Sequence, residues 1–211
     1  MIELESNLIN GYLEAYRIAC ESLKEADPKR VALNTGAIYD SNNRLALKYL
    51  NSQYAINCTT GNVSSLDSDD LVTSTVKVLI LHYLINANFK PLTGKFISFK
   101  EIPGGGSIYY ETFQKRAIQP LIKTFCKDCS QIYIAASNLE GTKGSLGHGN
   151  VTLKIFPYVP VTYVIWQGDD EVEDSGTILF DESITSYLPT EDIVLAASFG
   201  TYSLMAQRRN L

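Results

Sequence analysis

The sequence contains few of the residue types that most often mark a chemical function. It has two histidines, one tryptophan, two methionines and four cysteines in 211 residues. Lysine and arginine number 18 against 23 for aspartate and glutamate, so the net charge is −5. Proteins that bind nucleic acid need clustered basic side chains to displace counterions from phosphates. The adjacent basic pairs, Lys29-Arg30, Lys115-Arg116 and Arg208-Arg209, are scattered along the chain and form no cluster, and we therefore expect no nucleic-acid partner.

The sequence also has no long apolar run. The longest run, residues 78–85, is interrupted by His82 and is far shorter than the roughly 20 residues that span a bilayer. The first residues, Met-Ile-Glu-Leu-Glu, are acidic and do not have the basic and then apolar layout of a signal peptide. We therefore expect a cytoplasmic protein with no membrane partner. In that compartment the four cysteines should be reduced thiols.

What is present indicates one packed domain. The hydrophobic fraction of 45% and the charged fraction of 19% are typical of a globular core. The length favours a single domain over residues 1–211. Apolar residues at helical spacing predict an amphipathic helix over residues 7–26, packed on a core that begins near residue 44. From there the spacing changes to alternation, which predicts a β-hairpin over residues 44–58.

The rest of the chain contains further segments with helical spacing and with strand alternation. Residues 67–70 are predicted to cap a buried helix that starts at Leu71, and a strand is expected over residues 95–101. A helix over residues 110–125 contains Pro120, which predicts a kink or two helices with Pro120 in the first turn of the second. Residues 131–139 fit a helix or a strand, and we interpret them as a helix. Strands at 151–156, 160–166 and 177–180 and a helix at 190–208 complete an α+β fold with a mainly antiparallel sheet and four to five helices.

The first candidate site is the glycine run Gly104-Gly105-Gly106-Ser107, between a predicted strand and a predicted helix. Free backbone N–H groups at the positive end of a helix can bind an anion. The run lacks the Gly-Lys-Ser/Thr of a phosphate-binding loop and the later glycine and acid of a dinucleotide fingerprint. A flexible turn is the alternative interpretation. We take these four residues, with Trp166 and His148, as the candidate ligand-binding set.

The second candidate site is the acidic turn that follows Trp166. Hard cations such as magnesium require several carboxylate oxygens, and candidate ligands are Asp169, Asp170, Glu171 and Asp181. Acids in a turn between strands can equally serve only as soluble turn residues. The spacing therefore leaves a divalent-metal site and an ordinary turn as alternatives.

Cys126-Lys127-Asp128-Cys129 has the spacing of a metal or redox motif. It follows the end of a predicted helix, where no helix N-terminus lowers the pKa of a thiol. Zinc would need two more ligands, and the other cysteines and histidines are scattered. We expect a structural role, with a metal site shared between two copies of the chain as the alternative.

Several segments resemble a prokaryotic family of unknown function, number 3786. They include LTGKFISFKEIPGG at residues 92–105, ILFD at 178–181 and LPTED at 188–192. The resemblance covers most of the chain from about residue 44. It implies an origin in an anaerobe, because the family is common there. Some relatives are described as iron–sulphur proteins because a cysteine-rich domain is attached. The cysteines here do not form a cluster-binding run.

Three functions are compatible with the sequence. The first is an accessory domain that binds a small ligand, without catalysis of its own, in a pocket formed by the glycine run, Trp166 and the acidic turn. The second is an interaction module that docks on a redox or corrinoid protein, as the resemblance implies. The third is a metal-dependent enzyme in which the acidic turn holds a cation that activates water. A homo-oligomer is compatible with each, and no particular cofactor is indicated.

Overall fold

The structure is a computed structural model and describes residues 2–209, with the side chains of residues 11–208. Residues 1, 210 and 211, which the single-domain prediction includes, lie outside this range. The chain divides into two compact units. The first unit runs to Phe89 and includes Ser186–Leu188, and the second comprises Lys90–Thr185 and the residues from Pro189.

The first unit consists of three helices and one sheet. The helices are α1 (Ile2–Glu25), α2 (Pro28–Thr35) and α3 (Ser74–Asn86), and the strands are β1 (Ile38–Tyr39), β2 (Arg44–Tyr49), β3 (Ser52–Asn57) and β4 (Val63–Ser65). The four strands are antiparallel in the order β1-β2-β3-β4. The predicted hairpin is thus β2 and β3. α1 buries Ala19 and Leu23 and packs on α3.

One local prediction in the first unit needs correction, and one helix was not predicted. The cap of α3 is Thr73, whose hydroxyl accepts a hydrogen bond from the N–H of Val76, and residues 67–70 do not cap this helix. The carboxylate of Asp67 instead accepts a hydrogen bond from the N–H of Gln53 at 2.7 Å. The helix that the sequence analysis did not predict is α2. Asp27 caps it and Pro28 begins it, a combination typical of a helix start.

The second unit consists of a five-stranded antiparallel sheet and three helices. The strands are β5 (Phe96–Ser98), β6 (Thr142–Lys143), β7 (Gly149–Phe156), β8 (Val159–Trp166) and β9 (Ser175–Asp181). Their order in the sheet is β5-β9-β8-β7-β6. The helices are α4 (residues 110–125), α5 (Gln131–Ser137) and α6 (Thr190–Arg209). 3₁₀ helices occupy Phe99–Glu101 and Glu182–Ser186, and the last residue of the second one belongs to the first unit.

The α+β class with antiparallel sheets is confirmed. Within residues 2–209 there are six helices when α4 is counted once, and the one beyond the predicted number is α2. The strand predicted over residues 95–101 was wrong in its second half, because Phe99–Glu101 is a 3₁₀ helix. No helix in the described part of the chain is both long and apolar enough to cross a membrane.

Helix α4 changes its hydrogen-bond pattern around the proline. Tyr110–Phe113 is α-helical, Gln114–Ile118 is a π-helical turn, and Gln119–Phe125 is α-helical with Pro120 near its start. The second predicted alternative, with Pro120 in the first turn of a new segment, therefore holds. A π turn and a proline both interrupt the α-helical pattern, in which each carbonyl accepts a hydrogen bond from the N–H four residues later. The carbonyl of Ala117 accepts a hydrogen bond from the buried hydroxyl of Thr201 on α6 at 3.2 Å.

Strand β8 is the central strand of this sheet and consists mainly of β-branched and aromatic residues, which favour a strand. It also contains Pro160, which cannot donate a hydrogen bond to a neighbouring strand. Pro160 lies opposite Lys154, where the register of β7 shifts by one residue. A β-bulge at this point accommodates the proline in a central strand.

The packing of β8 on α6 requires a glycine in the helix. The hydroxyl of Tyr163 donates to the carbonyl of Ala197 at 3.0 Å, so the ring reaches the helix backbone. A Cβ at Gly200 would lie 1.8 Å from this hydroxyl oxygen. Gly200 therefore makes room for Tyr163, although glycine in a helix costs about 1 kcal/mol relative to alanine.

Replacing this glycine tests the packing. Helix propensity alone predicts that Gly200→Ala stabilises the protein by about 1 kcal/mol. The contact with Tyr163 predicts the opposite sign, a loss of about 1–3 kcal/mol from overpacking. Urea denaturation of both proteins measures the difference. In a Tyr163→Phe background the same Gly200→Ala change should cost less, since the clashing oxygen is gone, and an equal cost in both backgrounds would contradict this explanation.

Candidate functional site

The described surface of the second unit contains a depression of about 540 Å³. One wall is the connection between α4 and α5, and the other combines the residue before β7 with the turn after β8. The lining residues are Lys127, Asp128, Cys129, Ser130, His148, Gln167, Gly168 and Asp169. Two residues of the predicted sites, His148 and Asp169, are therefore brought together here with the cysteine motif.

The first wall is shaped by hydrogen bonds of Asp128. Its Oδ1 accepts from the N–H of Ser130 at 3.1 Å and from the hydroxyl of Ser130 at 2.6 Å. Its Oδ2 accepts from the side-chain amide of Gln131 at 3.0 Å. These bonds from Ser130 and Gln131 lower the pKa of Asp128, which stays ionised at neutral pH. Asp128 thereby fixes the turn that leads into α5.

His148 is held by its backbone and by its ring. Its N–H donates to the carbonyl of Ile165 at 2.9 Å. The Nδ1 atom of its exposed imidazole accepts from the N–H of Gln167 at 2.9 Å. Because Nδ1 is an acceptor here, the neutral ring carries its proton on Nε2. His148 therefore lines the depression as a hydrogen-bond donor with a fixed tautomer.

The glycines on either side of His148 allow this position. Gly147 has a φ of 63°, and a Cβ there would lie 2.5 Å from the carbonyl oxygen of Ile165. A Cβ at Gly149 would lie 2.8 Å from the side chain of Ile165 and 3.1 Å from the carbonyl of Cys129. Both glycines therefore allow neighbouring segments of the chain to approach closely.

The acidic turn is closed by two of its own carboxylates. Oδ1 of Asp169 accepts from the N–H groups of Glu171 and Val172, both at 2.9 Å. Those two bonds lower the pKa of Asp169. Oδ1 of Asp174 accepts from the N–H of Gly168 at 2.8 Å. Asp170 and Glu171 are exposed on the same turn and do not line the depression.

Asp181 also has a structural role and lies at the far end of β9 from this turn. Its carboxylate accepts from the N–H and hydroxyl of Thr93, the N–H of Gly94 and the N–H of Ser183, at 2.8–3.2 Å. Burial would raise the pKa of Asp181, but the hydrogen bonds outweigh burial and lower the pKa to about 2. The four predicted metal ligands are thus not gathered at one point. In the described residues no three His, Cys, Asp or Glu side chains are placed to hold a metal ion.

The cysteines of the motif are buried thiols. The Sγ of Cys126 donates weakly to the carbonyls of Trp166 and Ser175 at 3.6 and 3.8 Å. Burial, with the nearby charge of Asp174, raises the pKa of Cys126 to about 11, and burial also raises the pKa of Cys129. Reactive cysteines have a lowered pKa and are accessible. Both observations argue for a structural role.

The glycine run lies at a different place in the second unit. The hydroxyl of Thr190, at the start of α6, donates to the carbonyl of Pro103, directly before the glycines. Arg208, near the other end of α6, lies over the ring of Phe125, directly before the cysteine motif. At about 1.5 Å per residue these two ends of the helix are about 27 Å apart. The structure therefore does not bring the glycine run together with His148 and Asp169.

The glycine run also has a structural explanation of its own. A Cβ at Gly106 would lie 2.1 Å from the carbonyl oxygen of Phe99, and the N–H of Gly106 donates to the carbonyl of Ile102. Gly105 has a φ of 138°, and its Cβ would touch the ring of Tyr109. Helix α4 begins only at Tyr110, so Ser107 is not part of its first turn. The N-terminus of α4 therefore does not lie at Ser107.

A family model described as a domain of unknown function (DUF3786) matches residues 27–202. The chain belongs to this family. The resemblance drawn from the sequence motifs is thereby confirmed, and the match includes every residue that lines the depression. Comparison with curated proteins found no match, and comparison with solved structures found none either.

Sequence reasoning missed Lys127, Asp128 and Gln167. The cysteine spacing drew attention to the right loop, but for its sulphur atoms and not for the residues between them. Asp128-Cys129-Ser130 is a cap sequence before α5, and that signal could have located the first wall. Gln167 acts through its backbone N–H, which no sequence pattern identifies. Trp166 is 38% exposed and lies beside Gly147 at the edge of this region.

The role of Asp181 predicts how stability depends on pH. Its pKa is about 2 in the folded protein, below the usual value of 3.8. The stabilisation is therefore complete above about pH 4 and is lost as the pH falls through about 2. Asp181→Asn should lower the free energy of unfolding at pH 7 by on the order of 2–3 kcal/mol and flatten its decline between pH 4 and 2. Asp170→Asn removes one carboxylate charge from an exposed side chain. In the same urea titrations it should change neither the free energy of unfolding nor its dependence on pH.

The buried thiols predict low reactivity. Iodoacetamide at pH 7.5 should modify Cys126 and Cys129 far more slowly in the folded protein than in urea, since burial raises the pKa of both thiols and alkylation requires the thiolate. Both should be alkylated in urea, and peptide mass spectrometry distinguishes the two states. Rapid labelling of either residue in the folded protein would contradict the structural role.

Proposed function

We propose that this chain is a cytoplasmic accessory domain that binds a small polar ligand in the depression and has no catalysis of its own. The observation that carries the proposal is the fixed imidazole of His148. The N–H of Gln167 binds its Nδ1 at 2.9 Å and thereby directs the ring proton to Nε2. A preorganised donor in a concave site is the usual means of orienting a small ligand.

The chemistry of the other lining groups supports binding over catalysis. Nucleophilic catalysis requires a nucleophile with a lowered pKa or an adjacent base. Burial raises the pKa of Cys129, the thiol in the lining. The carboxylates of Asp128 and Asp169 have lowered pKa values because neighbouring N–H and hydroxyl groups bind them. Such carboxylates hold a charge in place and are poor general acids at neutral pH.

The proposed compartment rests on the cysteines. All four are free thiols, at Cys20, Cys58, Cys126 and Cys129. Free thiols persist in reducing compartments. The metal-dependent enzyme is not proposed, because the described residues contain no group of three side chains suited to a metal ion and Asp181 is engaged at the other end of β9.

Amide chemical shifts test ligand binding in the 211-residue chain. The probes are inorganic phosphate, pentanoate, butylamine and L-norvaline, each titrated separately to about 20 mM in ¹⁵N–¹H spectra. We expect at least one probe to move the amides of residues 127–130, 148 and 167–169 with a saturable response. A dissociation constant of about 10 mM, which such a titration can measure, corresponds to a binding free energy of about 3 kcal/mol.

Matched histidine substitutions make the test specific. His148→Ala removes the oriented donor and should abolish the saturable response. His82→Ala changes the chain's other histidine, which lies in the first unit, and should leave it unchanged. If no probe moves the lining amides, or if His148→Ala binds like the unaltered protein, ligand binding at this depression is excluded as the function.

The alternative is an interaction module, and exposed apolar side chains favour it. Val172 is 63% exposed, Leu146 is 42% exposed and Trp166 is 38% exposed, and all three lie on segments next to the lining residues. Exposed apolar groups of this kind are common at protein contacts. On this alternative the partner would be a redox or corrinoid protein, as the family resemblance implies. It becomes the leading proposal if none of the probes binds.

A further inference from the structure

We propose that the ligand of this depression is a small zwitterion with an ammonium group and a carboxylate close together, as in an α-amino acid. This inference rests on the proposed function and identifies the class of molecule that the site would select. It follows from three features of the lining: a carboxylate fixed by backbone bonds, an excess of negative charge, and two donors on opposite walls.

The fixed carboxylate is that of Asp169. Two backbone N–H groups bind the same oxygen, Oδ1, at 2.9 Å. Within the described residues no other residue donates to Oδ2, which is available to a ligand. A carboxylate held in one orientation by its own turn loses little conformational entropy when it accepts a further hydrogen bond. Asp169 is therefore suited to bind an ammonium group.

The balance of charge around the depression disfavours a simple anion. The lining contains two carboxylates, Asp128 and Asp169, against one cation, Lys127. Next to the lining, Asp174 acts electrostatically on both cysteine thiols and Arg208 acts on Asp128, so these groups together are three carboxylates and two cations. An anion without a positive group would therefore meet net repulsion, whereas an ammonium group would be attracted.

A simple cation would leave the donors of the site unused. Lys127 is exposed, and no carboxylate of the described residues forms an ion pair with it. On the opposite wall, His148 has its proton on Nε2 because Gln167 occupies Nδ1. Lysine and an imidazole N–H are both partners for a carboxylate. A ligand with both charges satisfies Asp169 with its ammonium group and Lys127 and His148 with its carboxylate.

The size of the depression is consistent with this class. Its volume of about 540 Å³ lies within the range of about 300–1,000 Å³ that is usual for small-ligand sites. An amino acid leaves room for a side chain or for bridging water. The site is also lined by Cys129 and Gly168, which present little bulk against such a side chain.

Three probes with the same propyl group test the inference. L-norvaline carries both charged groups, butylamine is norvaline without the carboxylate, and pentanoate is norvaline without the ammonium group. We expect norvaline to bind at least about tenfold more tightly than either analogue, since loss of a hydrogen bond to a charged group raises a dissociation constant about tenfold or more. Dissociation constants come from the shifts of the lining amides in the 211-residue chain.

Two pairs of variants assign the charges to residues. Asp169→Asn keeps a side-chain oxygen for the turn but removes the charge, and it should weaken norvaline and butylamine about tenfold without weakening pentanoate. Asp170→Asn, one residue away and outside the lining, should change none of the three. Lys127→Met should weaken norvaline and pentanoate, whereas Lys123→Met, exposed on α4, should not. Dispersed spectra confirm that each variant is folded.

The outcomes separate the inference from the proposed function. If pentanoate or butylamine binds the lining amides as tightly as norvaline, the depression remains a ligand site and the zwitterion is excluded. Equal effects of Asp169→Asn and Asp170→Asn would also overturn the assignment, because they would indicate a diffuse charge effect. If none of the probes moves these amides, the proposed function fails together with the inference.

Discussion

The close packing around β8 is the constraint on which the second unit depends. Ile165 in this strand lies opposite Gly149 on β7 and Gly176 on β9. A Cβ at Gly149 would meet Ile165, and a Cβ at Gly176 would meet Ile122 of α4. Glycine on both neighbouring strands thus makes room for large side chains in the layer between sheet and helices. Interiors packed to this density tolerate little added volume.

The same packing positions the candidate site. Because Gly147 and Gly149 allow the backbone to approach Ile165, the ring of His148 reaches the N–H of Gln167. Gly149 also lies against the carbonyl of Cys129, which brings the loop between α4 and α5 next to the start of β7. The two walls of the depression are therefore consequences of core packing and not of a separate binding loop.

The regular elements could be predicted because their signals are local. Alternation located β2 and β3, and the β-branched run located β8, since each pattern is fixed by which residues face the core. The start of α3 could not be placed, because the four polar residues at 67–70 and Thr73 are all residue types that cap helices, and the structure uses Thr73. Nor does any pattern of residue types reveal a π-helical turn such as Gln114–Ile118.

The candidate site was predicted only in part, because residue type does not reveal how a side chain is used. Asp169 and Asp181 have the same chemistry, yet one binds its own turn and lines the depression while the other anchors Thr93 and Gly94. Similarly, the glycines at 104–106 and those at 147 and 149 look alike in the sequence. Only the second group adjoins the lining residues, and the difference depends on distances across the sheet.

The lengths of the outer strands bear on how copies of this chain can associate. β1 and β6 have two residues each, and β4 and β5 have three. An edge this short offers few free backbone groups to a strand from another molecule, and short edges are a known protection against aggregation through sheet extension. Self-association of this protein, where it occurs, would therefore depend on contacts between side chains and not on the joining of sheets.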